Sequence, residues 1–373
     1  MSDKPRVGIF LSFSGQGGVE RMIANLATGI LALGHPVDIV AARTQGAHVE
    51  ALPAGARLIR LAARHSTTAL PALVRYLRNE PPSVLLAAKE RAIRTAVLAK
   101  RLSGSQVPLY GRMGTTLSAA LEGGNPLSRS IRYALLRNAY RRLDGLIAVS
   151  GGVADDVEKI AGMERTRIHV IRNPVIGPWL AKAAEADPQH PWFGDGGDPI
   201  VLGAGRLTRQ KDFPTLLRAF ALANRHRGCR LIILGEGRDR QALLDLANEL
   251  GVADRVDLPG FRANPHALMA RADVFVLSSL WEGSPNVLTE AMALGAPVVS
   301  TDCPSGPREV LDGGRLAPLV PMSDPDALAK AIVHSLEQPP QRAMLQEAVR
   351  DYHMDVAARH YLTVMGLAPT EAE

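Results

Sequence analysis

The sequence predicts an α/β protein made of two doubly wound, Rossmann-like domains whose parallel sheets face a central cleft. Three observations lead to this fold class. The chain has 373 residues, which suits two domains of ordinary size. Short β-branched or apolar runs alternate with longer amphipathic segments through both halves, as in βαβ units. Between the halves, residues 174–199 carry five prolines and lack sustained periodicity, as at a domain boundary.

The first half contains six short runs rich in Val, Ile, Leu and Ala, separated by segments with apolar residues at helical spacing. We predict strands at Arg6–Leu11, Pro36–Ala41, Ser83–Ala88, Val107–Gly111, Gly145–Ser150 and His169–Asn173. We predict helices at Gly18–Leu33, Leu70–Arg78, Arg91–Leu102 and Ser128–Leu143. Together these elements form a first domain over residues 1–175.

The second half repeats this rhythm. Its predicted strands are Pro199–Ala204, Arg230–Gly235, Arg255–Pro259, Val274–Ser278, Pro297–Thr301 and Leu316–Val320. Its predicted helices are Phe213–Asn224, Asp239–Leu250, Pro285–Leu294 and Pro325–Leu336. A second domain over residues 176–345 follows from these elements. The remaining residues 346–373 lie in a segment with a helical pattern from Gln341 to Leu367.

Composition and cysteine usage predict a cytoplasmic globular protein. Hydrophobic residues make up 46% and charged residues 21% of the chain, which excludes the disordered and fibrous classes. Cys229 and Cys303 belong to no CxxC or Cys/His cluster, as expected in a reducing compartment. The apolar run Val7–Leu11 is too short for a secretion signal, and no stretch approaches the roughly 20 residues of a membrane span.

Charge is distributed unevenly along the chain. The net charge is +6, but residues 1–175 hold 24 basic and 12 acidic side chains, so residues 176–373 sum to −6. Within residues 57–142 there are 16 basic and 3 acidic side chains. Such a surface attracts the phosphates of an anionic membrane, a lipid-linked phosphate or a nucleic acid, and a solvated arginine-rich face is the alternative. With only 4% aromatic residues for base stacking, we expect no nucleic-acid partner.

Two loops that follow predicted strands carry glycines and cations. Residues 12–21 are glycine-rich, but Glu20 stands where the dinucleotide pattern G-x-G-x-x-G needs its third glycine, and no GKS or GKT is present. The loop Gly203–Asp212 contains Arg206, a planar fork of donors, and Lys211, a mobile point charge. Together they suit a diphosphate, with two solvated basic residues as the alternative.

A third loop leads into a predicted helix and is flanked by two glutamates. Ser284 as N-cap, Pro285 at the first helical position and Gly295 past the end predict one short helix. Its free amides, at Asn286 and Val287, suit phosphate oxygens. Glu282 precedes the helix, and Glu290 lies about 6–7 Å along it, where a carboxylate can accept both hydroxyls of a ribose. Two exposed acids near a helix start are the alternative.

These motifs, in this order, resemble the retaining glycosyltransferases of family 4 (glycosyl transferases group 1), which have the GT-B fold. The motifs are Gly17-Gly18-Val19-Glu20-Arg21, Ala148-Val149-Ser150, Asn173-Pro174, Gly205-Arg206-Leu207, Gln210-Lys211-Asp212, Gly235-Glu236-Gly237, Pro259-Gly260-Phe261, the E-x7-E element from Glu282 to Glu290, and Asp302–Glu309. They span almost the whole chain. The resemblance implies that residues 346–373 cross back to the N-terminal, acceptor-side domain.

The resemblance implies a hexosyltransferase acting in surface polysaccharide or lipopolysaccharide biosynthesis. It would move a hexose or N-acetylhexosamine from a nucleotide sugar, UDP-linked before GDP-linked, to a glycan or a polyprenyl-phosphate-linked acceptor. Anomeric configuration would be retained, with the leaving phosphate taking the acceptor's proton. No cofactor or metal is expected, because Arg206 and Lys211 would take the role that a divalent metal serves elsewhere. We expect a cytoplasmic location, at most peripheral on the inner face of the cytoplasmic membrane.

The same resemblance assigns roles to the donor-side residues. Arg206 and Lys211 would hold the diphosphate as leaving group, and Glu282 would contact the hydroxyls of the transferred sugar near its anomeric carbon. Glu290 would bind the ribose, and Phe261 with Gly260 would meet the base. The remaining donor-binding residues are the phosphate cradle Ser284, Pro285, Asn286 and Val287, together with Gly17 and Gly18 of the first domain.

The acceptor side departs from the family at one position. Many members carry a His in the loop after the strand Val107–Gly111, where this chain has Arg112. We assign Arg112 to a phosphate or acceptor contact in its place, beside Arg21. Asp324-Pro325-Asp326 reads as a helix cap rather than a metal site, because proline suits the first helical position. His35, His169 and His266 are interpreted as loop or strand-end histidines without a catalytic role.

Three other functions stay open at this point. A nucleotide-sugar epimerase shares the GT-B fold but uses no acceptor, so an acceptor-free isomerisation assay separates it from a transferase. A non-catalytic nucleotide-sugar sensor or partner subunit is disfavoured by intact Arg206, Lys211, Glu282 and Glu290. A nucleic-acid-binding protein would suit the charge but lacks aromatic residues.

Overall fold

The computed structural model describes residues 4–14, 18–45, 49, 52–120, 126–194 and 196–367. The chain divides into two compact units, one formed by Met1–Val175 with Tyr352–Glu373 and the other by Ile176–Asp351. Each unit contains one parallel sheet, which confirms the predicted pair of Rossmann-like α/β domains. Over the described ranges, no helix has the length and apolarity needed to cross a bilayer.

Over the residues that the structure describes, the first unit begins with seven strands and six helices. The strands are β1 (Val7–Ser14), β2 (Val37–Gln45), β3 (Arg57–Arg60), β4 (Val84–Ala88), β5 (Leu109–Met113), β6 (Gly145–Ala148) and β7 (Ile168–Val170). The helices are α1 (Gly18–Ala32), α2 (Leu70–Asn79), α3 (Glu90–Ser103), α4 (Leu117–Ala120), α5 (Pro126–Tyr140) and α6 (Gly151–Ala161). Six of the strands agree with the sequence prediction. Strand β3 and helices α4 and α6 were not predicted.

The sheet of the first unit has the order β3-β2-β1-β4-β5-β6-β7. Alternate residues of β1 face opposite sides: Val7, Ile9 and Leu11 join one core cluster, whereas Phe10 joins the other. Both faces are therefore covered, which explains why β4 is buried throughout and reads as a continuous apolar run.

The short edge strand β3 escaped prediction because it has no continuous apolar run. Arg57 pairs with Asp38 of β2 through two bonds, Nε to Oδ1 at 2.9 Å and Nη2 to Oδ2 at 2.6 Å. The Tyr76 hydroxyl donates to the same carboxylate at 2.8 Å. Asp38 is buried, and these partners satisfy its charge. An ion pair between neighbouring strands thus adds to the parallel backbone pairing of β2 with β3.

The second unit contains six strands and most of the remaining helices. The strands are β8 (Ile200–Ala204), β9 (Arg230–Leu234), β10 (Val256–Gly260), β11 (Val274–Leu277), β12 (Val298–Thr301) and β13 (Leu319–Val320). The helices are α7 (Pro178–Glu185), α8 (Phe213–His226), α9 (Arg240–Glu249), α10 (His266–Met269), α11 (Asn286–Ala293), α12 (Pro307–Val310), α13 (Pro325–Glu337) and α14 (Arg342–Ala348). All six strands agree with the prediction. Helix α7 corrects the expectation that residues 174–199 lack periodic structure, since proline at its start suits a first turn.

The sheet of the second unit has the order β10-β9-β8-β11-β12-β13. The chain leaves β8 toward one edge and returns at β11 to build toward the other edge. The strand order therefore reverses between β8 and β11. In open parallel sheets, ligands bind at such a switch point, outside the carboxyl ends of the strands.

The C-terminal segment is broken rather than one helix from Gln341 to Leu367. Helix α14 ends at Ala348, a 3₁₀ turn covers Arg350–Tyr352, and α15 runs from Met354 to Val364. Helix α15 packs beside α1 in the first unit, where Ala358 and Tyr361 join the same core cluster as β1. Gly29 of α1 makes this close approach geometrically feasible, because a Cβ there would lie 2.7 Å from the Met354 carbonyl oxygen.

Candidate functional site

The predicted donor residues of the second unit follow the carboxyl ends of its strands. Lys211 ends a 3₁₀ turn, Arg209–Lys211, in the loop after β8, and Glu282 lies in the loop after β11. Because β8 and β11 are neighbours in the sheet, these two loops meet at the switch point. Gln210 Nε2 donates to the Trp281 carbonyl oxygen at 2.9 Å and ties the loops together.

An ion pair spans the switch point. Lys211 Nζ lies 2.6 Å from Glu282 Oε1, with the side chains 16% and 8% exposed. The Ser279 hydroxyl donates to the same carboxylate oxygen at 2.7 Å, and the Ser278 hydroxyl donates to the Lys211 carbonyl at 2.7 Å. The pair is therefore held in a fixed place on both loops. Sequence analysis found the two charges but neither serine, because a hydroxyl in an apolar strand end carries no pattern of its own.

Arg206 lies close by in the chain but in different surroundings. Arg206 is exposed and lies in the loop directly after β8. The loop turns at Gly205, whose N–H donates to the Leu234 carbonyl at 2.9 Å. Gly235 must be glycine here, since a Cβ would lie 1.9 Å from the Gly205 carbonyl oxygen. Arg206 thus lies at the carboxyl edge of the sheet as an exposed residue.

The start of helix α11 differs from the prediction. Ser284 does not cap the helix: its buried hydroxyl has no hydrogen-bond partner in the described part of the chain. The cap position is Pro285, and Asn286 is the first helical residue. The Asn286 amide is not free either, because it donates to the Ser284 carbonyl at 2.9 Å. The Val287 amide remains among the first-turn donors that have no acceptor in their own helix.

Glu290 lies one turn into α11 and is completely buried. Its Oε2 is 3.1 Å from His266 Nε2, the first residue of α10. The Trp179 ring of α7 meets the His266 ring edge-on, with centroids 5.1 Å apart. Sequence analysis interpreted His266 as a loop or strand-end histidine, so this partnership was missed. The only hint of this partnership in the sequence is that His266 closely follows the Gly260–Phe261 motif.

The Gly260–Phe261 loop is shaped by a positive backbone angle. Gly260 has φ +83°, and a Cβ there would lie 2.5 Å from Glu236 Oε1. The Phe261 side chain is 58% exposed, whereas aromatic side chains are usually buried in a folded protein. An exposed ring beside a glycine turn offers a flat apolar surface for a base.

Electrostatics around the ion pair act on Cys303. Burial and the nearby Glu282 carboxylate raise the pKa of the Cys303 thiol to about 12. The thiol therefore stays protonated at neutral pH and is a poor nucleophile. Asp324 accepts from the Ala327 amide at 2.9 Å, which confirms that it caps α13. Among the described residues, no group of three His, Cys, Asp or Glu side chains could hold a metal ion.

The predicted residues of the first unit lie in α1 and β5. Gly17 falls outside the described residues, Gly18 is the first residue of α1, and Arg21 lies partly buried in its first turn. Arg112 is 1% exposed, and its Nη2 donates to Asn173 Oδ1 at 2.6 Å. Burial lowers the pKa of the Arg112 guanidinium. The structure thus places Arg112 inside the unit, rather than on its surface.

The geometry of the second unit suits an anionic ligand that carries hydroxyl groups. A partly buried cation (Lys211), an exposed arginine (Arg206) and a helix N-terminus share the carboxyl edge of one sheet. Cations and helix amides bind phosphate oxygens. Two buried carboxylates, Glu282 and Glu290, can accept hydrogen bonds from sugar hydroxyls.

Comparison with known proteins identifies two matching regions and similar relatives. Residues 16–176 match Glycosyltransferase Family 4, and residues 189–352 match Glycosyl transferases group 1. The lipopolysaccharide core biosynthesis glycosyltransferase LpsE of Rhizobium meliloti is 30% identical over 279 residues, which are 74% of this chain and 73% of LpsE. The N-acetylgalactosamine-N,N'-diacetylbacillosaminyl-diphospho-undecaprenol 4-alpha-N-acetylgalactosaminyltransferase of Campylobacter jejuni is 28% identical over 240 residues, 64% of this chain and 63% of that enzyme.

Solved structures share the fold at low sequence identity. Alr3699/HepE of Anabaena, solved with UDP and glucose, has a TM-score of 0.76 at 18% identity, covering 97% of this chain and 99% of HepE. This likeness supports the GT-B fold that the motifs imply. Both halves of the chain match the same kind of enzyme, and LpsE covers most of it. The chain belongs to glycosyltransferase family 4, the glycosyl transferases group 1.

Proposed function

We propose that this glycosyltransferase moves a hexose or an N-acetylhexosamine, with retention of configuration, from a nucleotide sugar to a glycan or lipid-linked acceptor of a surface polysaccharide or lipopolysaccharide. The Lys211–Glu282 pair at the switch point of the second unit carries this proposal. UDP is favoured over GDP because HepE was solved with UDP. A lipid-linked acceptor is supported by the Campylobacter relative, whose name gives a diphospho-undecaprenol-linked acceptor.

Donor binding rearranges the ion pair. In this structure Lys211 Nζ neutralises Glu282. An arriving diphosphate competes for the ammonium, and Arg206 approaches it from the solvent side. Glu282 then accepts hydrogen bonds from hydroxyls of the transferred sugar. The Ser284 hydroxyl and the Val287 amide complete the phosphate contacts, because a buried hydroxyl without a partner gains a hydrogen bond there. Glu290 takes the ribose hydroxyls, and Phe261 meets the base.

The transfer step needs charge stabilisation more than a general base. The bond between the anomeric carbon and the diphosphate oxygen breaks, a bond from that carbon to the acceptor oxygen forms, and the acceptor's proton moves to the leaving phosphate. Lys211 and Arg206 stabilise the negative charge that develops on the diphosphate. Removing one such preorganised donor typically costs about 10²–10³ in kcat.

The acceptor side is a prediction for the first unit. Gly18 would approach the donor diphosphate and Arg21 the acceptor. Arg112 would act on the acceptor only through the loop after β5, because its guanidinium is buried against Asn173. The excess of basic side chains in residues 57–142 suits an anionic membrane surface that carries a lipid-linked acceptor. The proposed location is the inner face of the cytoplasmic membrane.

A transfer assay tests the proposal. Wild type, Lys211→Met and the exposed-site control Lys330→Met are incubated with radiolabelled UDP-glucose, UDP-galactose, UDP-N-acetylhexosamines or GDP-mannose and a bacterial lipid-linked oligosaccharide fraction. We expect one donor to label the acceptor, an α-linked product by NMR from an α-linked donor, and a loss of about a hundredfold only in Lys211→Met.

The same assay separates the alternative functions. Isomerised nucleotide sugar formed without acceptor would indicate an epimerase instead. An inverted linkage in the product would contradict retention. Nucleotide binding without transfer or isomerisation, for every donor and acceptor fraction tried, would indicate a non-catalytic nucleotide-sugar-binding protein.

A further inference from the structure

We infer that His266 is a positioning residue, which orients the Glu290 carboxylate toward the ribose and so sets the preference for a ribonucleotide. The inference rests on the proposed function, in which Glu290 binds the ribose hydroxyls. It adds a residue that none of the sequence motifs includes. His266 Nε2 lies 3.1 Å from Glu290 Oε2, and both side chains are at least nine-tenths buried.

The direction of this hydrogen bond follows from the chemistry of the partners. An ionised carboxylate only accepts hydrogen bonds, so the imidazole must carry its proton on Nε2. The bond uses one of about four lone-pair sites on the carboxylate. It therefore helps to set the plane of the Glu290 carboxylate from the Oε2 side.

The histidine is itself held from two sides. Its backbone N–H donates to Asn264 Oδ1 at 3.2 Å, and Asn264 Nδ2 donates to the Ala183 carbonyl of α7 at 2.7 Å. Its ring lies edge-on against Trp179 of the same helix. Helix α7 thus sets both the backbone and the ring plane of His266. A buried acid held in this chain of contacts is pre-organised, which lowers the cost of ordering it on binding.

The place of His266 in the chain adds a second role. It follows the Gly260–Phe261 turn by five residues and begins α10, while Glu290 lies in α11. The His266–Glu290 bond therefore links the loop proposed for the base to the carboxylate proposed for the ribose. A nucleoside that contacts both the Phe261 loop and Glu290 would therefore bind to two groups that are themselves linked by a hydrogen bond.

Titration with paired nucleotides tests this inference. The affinities of UDP and 2′-deoxyUDP, or of GDP and 2′-deoxyGDP if wild type binds GDP, are measured by calorimetry for full-length wild type, His266→Phe and His266→Gln. Wild type should prefer the ribonucleotide. In His266→Phe the preference should fall by about tenfold, with the 2′-deoxy nucleotide bound nearly as before. His266→Gln should recover it, because its amide nitrogen can reach Glu290.

A merely structural histidine would behave differently. His190→Phe is the matched control, because His190 is also buried and pairs with a carboxylate, Asp257, at 2.9 Å. It should lower the melting temperature without changing the ribose preference. If His266→Phe does not fold, His266→Gln is compared with His266→Asn, whose shorter amide cannot reach Glu290 and should lose the preference.

The outcomes separate the inference from the proposed function. If Glu290→Ala loses the ribose preference and His266→Phe retains it, the positioning role is overturned while the proposed function stands. If Glu290→Ala retains the preference, the proposed ribose contact fails first. Equal loss of ribo- and 2′-deoxynucleotide affinity in His266→Phe would assign the histidine to general stability and overturn the inference.

Discussion

At the residue scale, the Lys211–Glu282 pair is more easily explained by function than by stability. Taking two charges out of water costs several kcal/mol each, and an ion pair repays this only with good geometry and further hydrogen bonds. Ser279 supplies one such bond to Glu282. An apolar pair of similar volume would often be as stable. The proposed donor site therefore explains this charged pair better than a contribution to stability does.

Breaking one side of this pair should cost more than removing both. Lys211→Met leaves the Glu282 carboxylate buried without its partner, and such changes typically destabilise by about 3–5 kcal/mol. Lys211→Met with Glu282→Gln should recover much of that loss but none of the activity. Urea unfolding of the single and double variants measures this. Additive destabilisation in the double variant would contradict the coupling.

Stability should also fall at alkaline pH because of Cys303. Burial, with the Glu282 charge, raises its pKa from 9.0 to about 12. Above pH 9 the thiol ionises in the unfolded chain but stays protonated in the folded one. The contribution of the protonated Cys303 thiol to the free energy of unfolding is therefore intact below pH 9. Between pH 9 and pH 12 the free energy of unfolding falls by about 1.4 kcal/mol per pH unit. Between pH 8 and pH 10, Cys303→Ala should lose about 1 kcal/mol less stability than wild type in urea unfolding. If wild type and Cys303→Ala lost the same stability between pH 8 and pH 10, the raised pKa would not belong to Cys303.

The residue scale also shows what the sequence could and could not provide. Glu282, Glu290 and Lys211 were found because their spacing from strand ends and glycines is fixed by the chain itself. The His266–Glu290 bond joins residues 24 apart in sequence and depends on how α10 packs, so no local pattern encodes it. The burial of Arg112 is of the same kind, since its partner Asn173 lies 61 residues away in the sequence.

At the element scale, the buried strands were predictable, whereas the edge strand β3 and several helix boundaries were not. Fully buried strands such as β4 carry continuous apolar runs, which are visible without a structure. The start of α11 shifted from Pro285 to Asn286, and its cap from Ser284 to Pro285, because Pro285, with ψ 80°, is not helical here. The C-terminal segment broke into α14 and α15 because its first part packs in one unit and its second part in the other.

The packing of α15 on α1 depends on Gly29. Helix propensity alone would make Gly29→Ala stabilising by up to about 1 kcal/mol. The new Cβ, however, would lie 2.7 Å from the Met354 carbonyl oxygen and 2.8 Å from Ala358 Cβ. We expect a net loss of about 1–3 kcal/mol, measured by urea unfolding. Thr28→Ala, on the exposed side of the same turn, is the control and should be nearly neutral. A stabilised Gly29→Ala would show that α15 can move away at no cost.

At the scale of the whole molecule, the two units differ in charge. Residues 1–175 carry a net +12 and residues 352–373 a net −2, so the first unit sums to +10, whereas residues 176–351 of the second unit sum to −4. The basic unit should therefore bind vesicles of anionic phosphatidylglycerol, with affinity that falls as salt rises. Large hydrophobic side chains are exposed on α3 and α5 of this unit, namely Leu98, Leu102 and Leu135. They would add apolar contact with the bilayer.

Charge reversal tests the membrane prediction. Replacing the exposed Arg101, Arg141 and Arg142 by Glu should weaken vesicle binding at least tenfold, since each basic residue near the surface contributes about 1 kcal/mol. The matched control reverses three exposed cations of the second unit, Lys182, Arg225 and Lys330, and should leave vesicle binding unchanged. Vesicle binding is measured by co-sedimentation. If both triple variants weaken it equally, binding depends on net charge or on another surface, and the prediction that the basic unit contacts the membrane is contradicted.

The central claim is that the carboxyl edge of the second unit is a nucleoside-diphosphate site. Calorimetric titration of UDP, GDP and ADP into wild type and Glu290→Ala tests it most directly. The account predicts that one nucleotide, UDP first, binds to wild type and binds at least about tenfold more weakly to Glu290→Ala, because a buried carboxylate that accepts two hydroxyls is lost. No binding by any of the three nucleotides, or equal binding by both proteins, would contradict it.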